Sequence, residues 1–401
     1  MRAEAVVVGG GPAGLIAARE LASRGVEVKA YEEHATIGEP NHCAGILSVE
    51  GLARLDVEPS PEFVQHEVRG GVAHSPNGTP IRISGSRTRA YVVDRGALDR
   101  HLAWQAEDAG AELILGHRVK GLLMKEGRVA GVSGMDGPVE AEVVIDCEGV
   151  GGSLARSAGL TPPERGVLSG INAEVSGIET EPGLVEVWLG ERIAPGFFAW
   201  VAPTSEGSAR CGLACEDGDA GALLDRFLGR RFGEARHTAP VRWPVLKGGP
   251  VARTYGDGLL LAGDVAGQTK PTTGGGVIFG GLCAIEAART ACGALEAGDC
   301  SAVRLSRYEG AWRGLLGGEF SSMLAARRLA DGISDDRMDR LFASLKGSGL
   351  EGTLERLVDE GDMDMQSGVL RSALTDPGMI GVLAGSLGRL ALAELRGLFN
   401  L

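Results

Sequence analysis

The sequence has no C-x-x-C pair: its seven cysteines, Cys43, Cys147, Cys211, Cys215, Cys283, Cys292 and Cys300, form an odd and scattered set. That absence argues against a disulfide framework and against a zinc site, so no metal centre is expected and a reducing cytoplasmic setting is. The chain is also short of positive charge, with 40 Lys and Arg against 53 Asp and Glu and a formal net charge of -13. An acidic surface of that size repels polyphosphate backbones and removes nucleic acid from the expected partners. Internal repeats and low-complexity tracts are missing as well. No charged leader precedes the apolar run that begins at Val6, so the N-terminus reads as a buried strand and not as a signal peptide. The stretch from Met379 is apolar but is broken by Arg389, Glu394 and Arg396, which makes it too polar for a spanning helix and compatible with peripheral contact at the inner face of a membrane.

Glycine is in excess, at 64 of 401 residues, yet 44% of the chain is apolar and no G-X-Y period exists. This composition belongs to a globular protein with many tight turns. The length exceeds one ordinary core of about 100–200 residues and suits two interlocked domains.

Residues 5–8 are a continuous apolar run that stops at Gly9-Gly10-Gly11, and Leu15, Ala18 and Leu21 then follow at helical spacing. A second strand, 26–31, ends at Glu32 and completes a βαβ unit buried on both faces. Residues 98–109 read as a helix, 112–123 as a strand, and Val143-Val144-Ile145 as another buried strand. From about 160 to 250 the pattern changes to alternating segments such as 183–189 and 197–201, which predicts an antiparallel sheet. Residues 63–92 have the same texture, so the second domain is expected to form from two insertions into the first. Beyond 300 the chain is helix-like, with breaks near 347–352 and 377.

Gly9, Gly11 and Gly14 form G-x-G-x-x-G between a strand and a helix. Gly9 serves the tight turn, Gly11 lets a pyrophosphate approach the backbone, and Gly14 allows helix and strand to pack closely; Glu32 is placed to accept hydrogen bonds from ribose hydroxyls. The helix N-terminus supplies free N–H groups and a positive dipole end. Gly263 and Asp264 follow the apolar strand 258–262 and precede Gly274, Gly275, Gly276 and Val277 at an expected helix start. A carboxylate there suits a ribityl hydroxyl, and the glycine amides suit negative charge on a reduced flavin. This second site favours FAD over NAD. Only one full fingerprint is present, which does not support a separate domain for NADPH.

Taken in order, these elements resemble the glutathione-reductase-like FAD enzymes of the hydroxylase type and, more narrowly, the geranylgeranyl reductase family. The segment Gly38-Glu-Pro-Asn-His-Cys43-Ala44-Gly45, Val93-Asp94-Arg95 before a helix, and Glu148-Gly149, where the family usually carries Asp, complete the likeness over most of residues 1–330. It implies an α/β fold: a glutathione-reductase-like FAD-binding Rossmann domain (1–62, 93–160 and 251–300), an inserted antiparallel β-sheet substrate domain (63–92 and 161–250) and a helical C-terminal region (301–401). By resemblance Ala13, Glu32, Cys43, Ala44, Gly45, Arg95, Val119, Asp264, Gly276 and Val277 line FAD. The stretch Pro195-Gly-Phe197-Phe198-Ala-Trp200-Val-Ala202-Pro203 is similar to the family's P-x-x-Y-x-W-x-F-P substrate motif, with Phe198 in place of Tyr and Ala202 in place of Phe.

The resemblance implies a reductase of isolated C=C bonds in polyprenyl chains, drawing electrons from NADPH, ferredoxin or a deazaflavin-linked donor. Pro195, Phe197, Phe198, Trp200, Ala202 and Pro203 would bind the lipid, and Cys43 and Trp200 would serve the chemistry. Cys43 is placed near the flavin's reactive ring, where a thiol can donate a proton, shield the flavin or sense redox state; a buried inert thiol is the alternative. His42 is expected to point elsewhere. Two other readings remain: a flavin monooxygenase or halogenase, with Lys270 as a candidate lysine although a solvated loop lysine is the expectation for it, and a non-catalytic flavoprotein that binds lipid or senses redox state.

Overall fold

The computed structural model describes residues 2–134, 137–388, 392–393 and 396–397, so the expectations for Arg389 and Glu394 lie outside the described residues. Strand β1 (Arg2–Val8) pairs in parallel with β2 (Val28–Tyr31) on one side and with the strand Gly137–Asp146 on the other. Glu112–Ile114 and Leu259–Leu261 extend this parallel sheet on its two flanks. One face of β1 packs on helices through Ala5 and Val7 and the other on Val129, Val132, Leu154 and Ala155 through Val6 and Val8, so Ala5, Val6 and Val7 have no exposure. Helix α1 (Pro12–Ala22) begins with Pro12 in the first turn, where a missing N–H costs nothing, and packs on the helix Val277–Glu296.

The single strand expected over 112–123 is two strands, Glu112–Ile114 and Gly121–Lys125. The second leaves the parallel sheet and joins a hairpin with Arg128–Gly134, which pairs antiparallel with Gly137–Asp146. Gly116 and its neighbours break the apolar run between them.

A second large sheet runs in the order Arg236–His237, Val167–Ser176, Ser208–Cys215, Phe198–Ser205, Leu184–Leu189, Gly70–His74, Pro80–Ser84, with Val241–Leu246 also on Val167–Ser176. The expectation of an antiparallel sheet is corrected at one junction, since Leu184–Leu189 and Gly70–His74 run parallel. Those two strands are far apart in sequence, so no tight turn forces them antiparallel. A small third sheet joins Ile46–Ser48, Ala90–Val93 and Val64–Val68. The segment 63–92 therefore divides between two sheets. Helix Ala220–Phe232, capped by Asp219, covers one face of the large sheet with Leu224, Phe227 and Leu228.

The C-terminal helices are Ala302–Asp331, Asp335–Gly347, Glu351–Glu360, Ser367–Thr375 and Pro377–Leu387. The first buries Leu305, Tyr308, Trp312, Leu316, Phe320 and Met323 along one stripe into the same core as α1 and Val277–Glu296. Val277–Glu296 has the length and apolar composition to cross a membrane, but most of it is buried in that core.

Candidate active site

The C-terminal ends of the parallel strands, with α1 and Val277–Glu296, form the first part of the site. Gly9 has φ +106°, and a Cβ there would stand 2.3 Å from the Cys147 carbonyl oxygen; one on Gly14 would stand 1.9 Å from that of Gly9. Glycine is thus required by close packing at both positions. A Cβ on Gly11 would meet nothing within 4 Å, so open space faces the backbone where a pyrophosphate is expected. Glu32 reaches this turn: its carboxylate accepts the Gly10 N–H at 2.6 Å and the His34 N–H at 2.8 Å. Glu148, the residue at odds with the family pattern, accepts the Ser153 hydroxyl and the Leu154 N–H, both at 2.7 Å, and caps the helix Ser153–Ser157. Asp146 beside it is fully buried with Oδ2 unpartnered, and burial, then Glu148, pushes its carboxyl well above the usual range.

Ala13, Gly263 and Gly280 bring the two helix N-termini together: a Cβ on Gly263 would stand 2.9 Å from that of Ala13, and one on Gly280 3.1 Å from the Gly263 Cα. The Asp264 carboxylate receives no hydrogen bond from the described residues, and a Cβ on Gly276 would lie 2.8 Å from its Oδ1. Burial raises the Asp264 carboxyl while Arg95 pulls it down. An unpartnered carboxylate, an open glycine backbone and two convergent helix N-termini together fit a dinucleotide with a ribityl chain. Asp264, Gly275, Gly276 and Val277 would hold its flavin end and Gly11 to Gly14 its phosphates. Val119 is partly buried against the apolar cluster that includes Val8, Tyr31 and Val144.

The loop carrying Cys43 and Ala44 crosses above Arg95. Arg95 holds Asp99 through two 3.1 Å contacts and also meets the Cys43 thiol; burial opposes its charge, but Asp99 and then Cys43 outweigh it and raise the guanidinium above its ordinary value. Burial nonetheless keeps the Asp99 carboxyl above its usual range. Cys43 Sγ accepts the Gly45 N–H at 3.4 Å. The loop is anchored by Arg210, whose guanidinium donates to the carbonyls of Ala44 and Val93, to Gln65 and, at 2.6 Å, to Glu174.

The residues of the 195–203 stretch separate. Phe198 and Trp200 share one face of their strand with Trp243, and Ala44 packs on that cluster. Phe197 stacks on Phe198 with centroids 4.3 Å apart, and Phe198 meets Trp200 edge-on at 6.1 Å. The Trp200 indole lies across Gly212 of the neighbouring strand, where a Cβ would come within 2.5 Å of it. Ala202 is fully buried in a different cluster with Val68, Ala90 and Val92, on which Met363 packs. By strand alternation Pro203 belongs to the opposite face, and Pro195 lines a cavity of about 490 Å³ with Lys247, Arg327 and Asp331. One aromatic cluster beside the flavin loop replaces the continuous wall expected from the sequence. His42 packs into the protein, stacking on Trp243. Trp243 and Arg210 were not among the expected residues, and nothing in the strand V-R-W-P or in R-C-G marks them beforehand.

This architecture defines an FAD-binding oxidoreductase. The FAD-binding domain model matches residues 2–280. Digeranylgeranylglycerophospholipid reductase 2 of Methanothermobacter thermautotrophicus is 36% identical over 361 residues, 87% of this chain and 93% of its own. Its counterpart in Methanopyrus kandleri is 35% identical over 364 residues, 86% and 91% of the two chains. The chain belongs to the digeranylgeranylglycerophospholipid reductase family. Its fold matches the crystal structure of a geranylgeranyl bacteriochlorophyll reductase-like protein of Thermoplasma acidophilum with TM-score 0.84 and 25% identity over 99% of both chains. A halogenase variant in complex with FAD shares the fold at TM-score 0.69 and 15% identity.

Proposed function

We propose that this protein is an FAD-dependent reductase that saturates isolated C=C bonds in the geranylgeranyl chains of a phospholipid. The observation that carries the reading is the packing of Ala44, on the Cys43 loop, against the Phe197, Phe198, Trp200 and Trp243 cluster. This puts an apolar wall next to the expected flavin ring. Bound reduced FAD supplies the hydride. An unactivated alkene has no carbonyl to polarise, so the aromatic residues contribute by holding the chain and excluding water. Cys43 Sγ, in contact with Arg95, is the group proposed to hold the proton delivered to the second alkene carbon. Residues 63–92 and 161–250 form the lipid-binding part in this reading, and the apolar C-terminal segment touches the membrane that presents the lipid.

The test is anaerobic incubation of the dithionite-reduced holoenzyme with digeranylgeranylglycerophospholipid, followed by mass spectrometry. The expected product gains two hydrogens per double bond, and Cys43→Ala lowers its rate while FAD content stays constant. Unchanged lipid beside a flavin that stays reduced overturns the reading, and an oxygenated product formed only in air replaces it with monooxygenase chemistry.

A further inference from the structure

Lys270 lies in the turn between Asp264 and Gly276, within the loop assigned above to the flavin end of the site. Its backbone N–H donates to the Gly275 carbonyl at 3.0 Å, and its carbonyl accepts the Gly274 N–H at 2.8 Å. A Cβ on Gly275 would stand 3.0 Å from Lys270 Cε and 3.6 Å from Nζ, so the ammonium lies against the glycine run that precedes Val277. The ammonium is paired with Asp364, Nζ to Oδ1 2.7 Å, and the two side chains are 12% and 1% exposed. The second Asp364 oxygen accepts the Ser48 hydroxyl.

Asp364 comes from the far end of the chain, on the connection between Glu351–Glu360 and Ser367–Thr375, and that connection is fastened on every side. Arg54 pairs with Asp362, Arg89 donates to the carbonyls of Asp359 and Gly361, Thr272 donates to Gln366 at 2.8 Å, and the Ser367 N–H reaches Glu319 at 2.8 Å. The carboxylate is therefore a fixed charge, and the fold spends a buried ion pair to put it beside the flavin loop.

We propose that the Lys270–Asp364 pair sets the reduction potential of the bound FAD. Two-electron reduction leaves a negative charge on the N1–C2=O edge of the ring, and a charge held near that edge in a water-poor site shifts the balance between oxidised and reduced cofactor. Lys270 favours the reduced anion and Asp364 opposes it, so the pair holds the potential between the values that either charge alone would give. The proposal rests on the FAD placement argued above.

The experiment measures the midpoint potential of the bound FAD by anaerobic dye equilibration, and the affinity for sulfite, whose flavin adduct carries the same negative charge. Asp364→Asn leaves an uncompensated ammonium and favours the reduced form about tenfold, which for a two-electron couple is about 30 mV upward; sulfite binds about tenfold more tightly. Lys270→Met leaves an uncompensated carboxylate and shifts both readings by about the same factor in the opposite direction. The double variant returns close to the unmodified protein, and Lys270→Arg stays there. A latch without an electrostatic role moves both single variants the same way or neither, and either result overturns the proposal. Should Lys270→Met not fold, the sign for Asp364→Asn decides, since an unchanged or lowered potential overturns it. Asp264→Ala separates the two levels: unchanged FAD affinity overturns the placement and the proposal with it, whereas weakened FAD binding with no opposed shifts overturns the tuning alone.

Discussion

The imidazole of His42 stacks on the indole of Trp243, with ring centroids 5.6 Å apart and 21° between the planes. Trp243 in turn meets Trp200 at 6.2 Å, so one aromatic layer runs from the large sheet to the residue next to Cys43. The price of this contact is a histidine in apolar surroundings. Burial, reinforced by Arg95, lowers its pKa to about 4, and its Nδ1 has no partner.

Stability falls as His42 is forced to charge. Above pH 6.5 it is neutral in both the folded and the unfolded chain; between 6.5 and about 4 the unfolded chain binds a proton that the folded chain does not, so stability is lost as pH falls through this window. Thermal melts of the protein and of His42→Gln across pH 4–7 should converge toward low pH, and parallel curves would remove His42 as the cause.

Glu32→Ala should weaken FAD retention. The carboxylate orders the glycine turn through Gly10 and is placed to receive ribose hydroxyls, and hydrogen bonds to a charged acceptor contribute about 1.5–3 kcal/mol. Equilibrium binding of FAD to the apoprotein, with a thermal melt as the folding control, measures the loss.

Trp200→Ala should cost about 3–5 kcal/mol of stability and impair lipid turnover, because the ring fills the space above Gly212. Trp200→Phe should cost much less, since the Trp200 Nε1 has no hydrogen-bond partner to lose. Denaturant midpoints of the two variants check the order.

Ala202→Phe restores the family's residue but enters a filled cluster of Val68, Ala90 and Val92. Overpacking by about 1–3 kcal/mol is expected, read as a lowered melting temperature at constant FAD content. A wild-type melting temperature would mean that Met363 yields its place to the ring.

Glu148→Ala should remove the cap of the short helix Ser153–Ser157 and lower stability by about 0.5–2 kcal/mol. Urea unfolding measures this directly.

The nucleotide-binding half of the site was legible because its chemistry is local. A strand, a glycine turn and a helix lie within a few residues of one another, Gly9 and Gly14 make the close approaches their spacing implies, and Glu32 reaches the same turn through the Gly10 N–H. The lipid half was legible only as a motif. Whether Phe198, Trp200 and Ala202 meet one space or two depends on which strands lie across from them, and that is set by pairings between distant segments, such as Leu184–Leu189 with Gly70–His74. Arg210 and Asp364 escaped notice for the same reason. Each is an ordinary charged residue in sequence and acquires its role from partners elsewhere in the chain.

Arg210 joins the Ala44 carbonyl, 166 residues before it, to Val93 of the small sheet and Glu174 of the large one. On the ribosome, the segment holding Gly9 to Glu32 emerges early, whereas the Cys43 loop gains its fastenings in stages, from Val93 and Arg95, then Asn172, then Arg210, and the flavin end of the pocket does not exist before Val277 follows. The nascent chain therefore carries half a pocket for most of its synthesis, and cofactor capture is a late event that closes the structure around a ligand already waiting in solution.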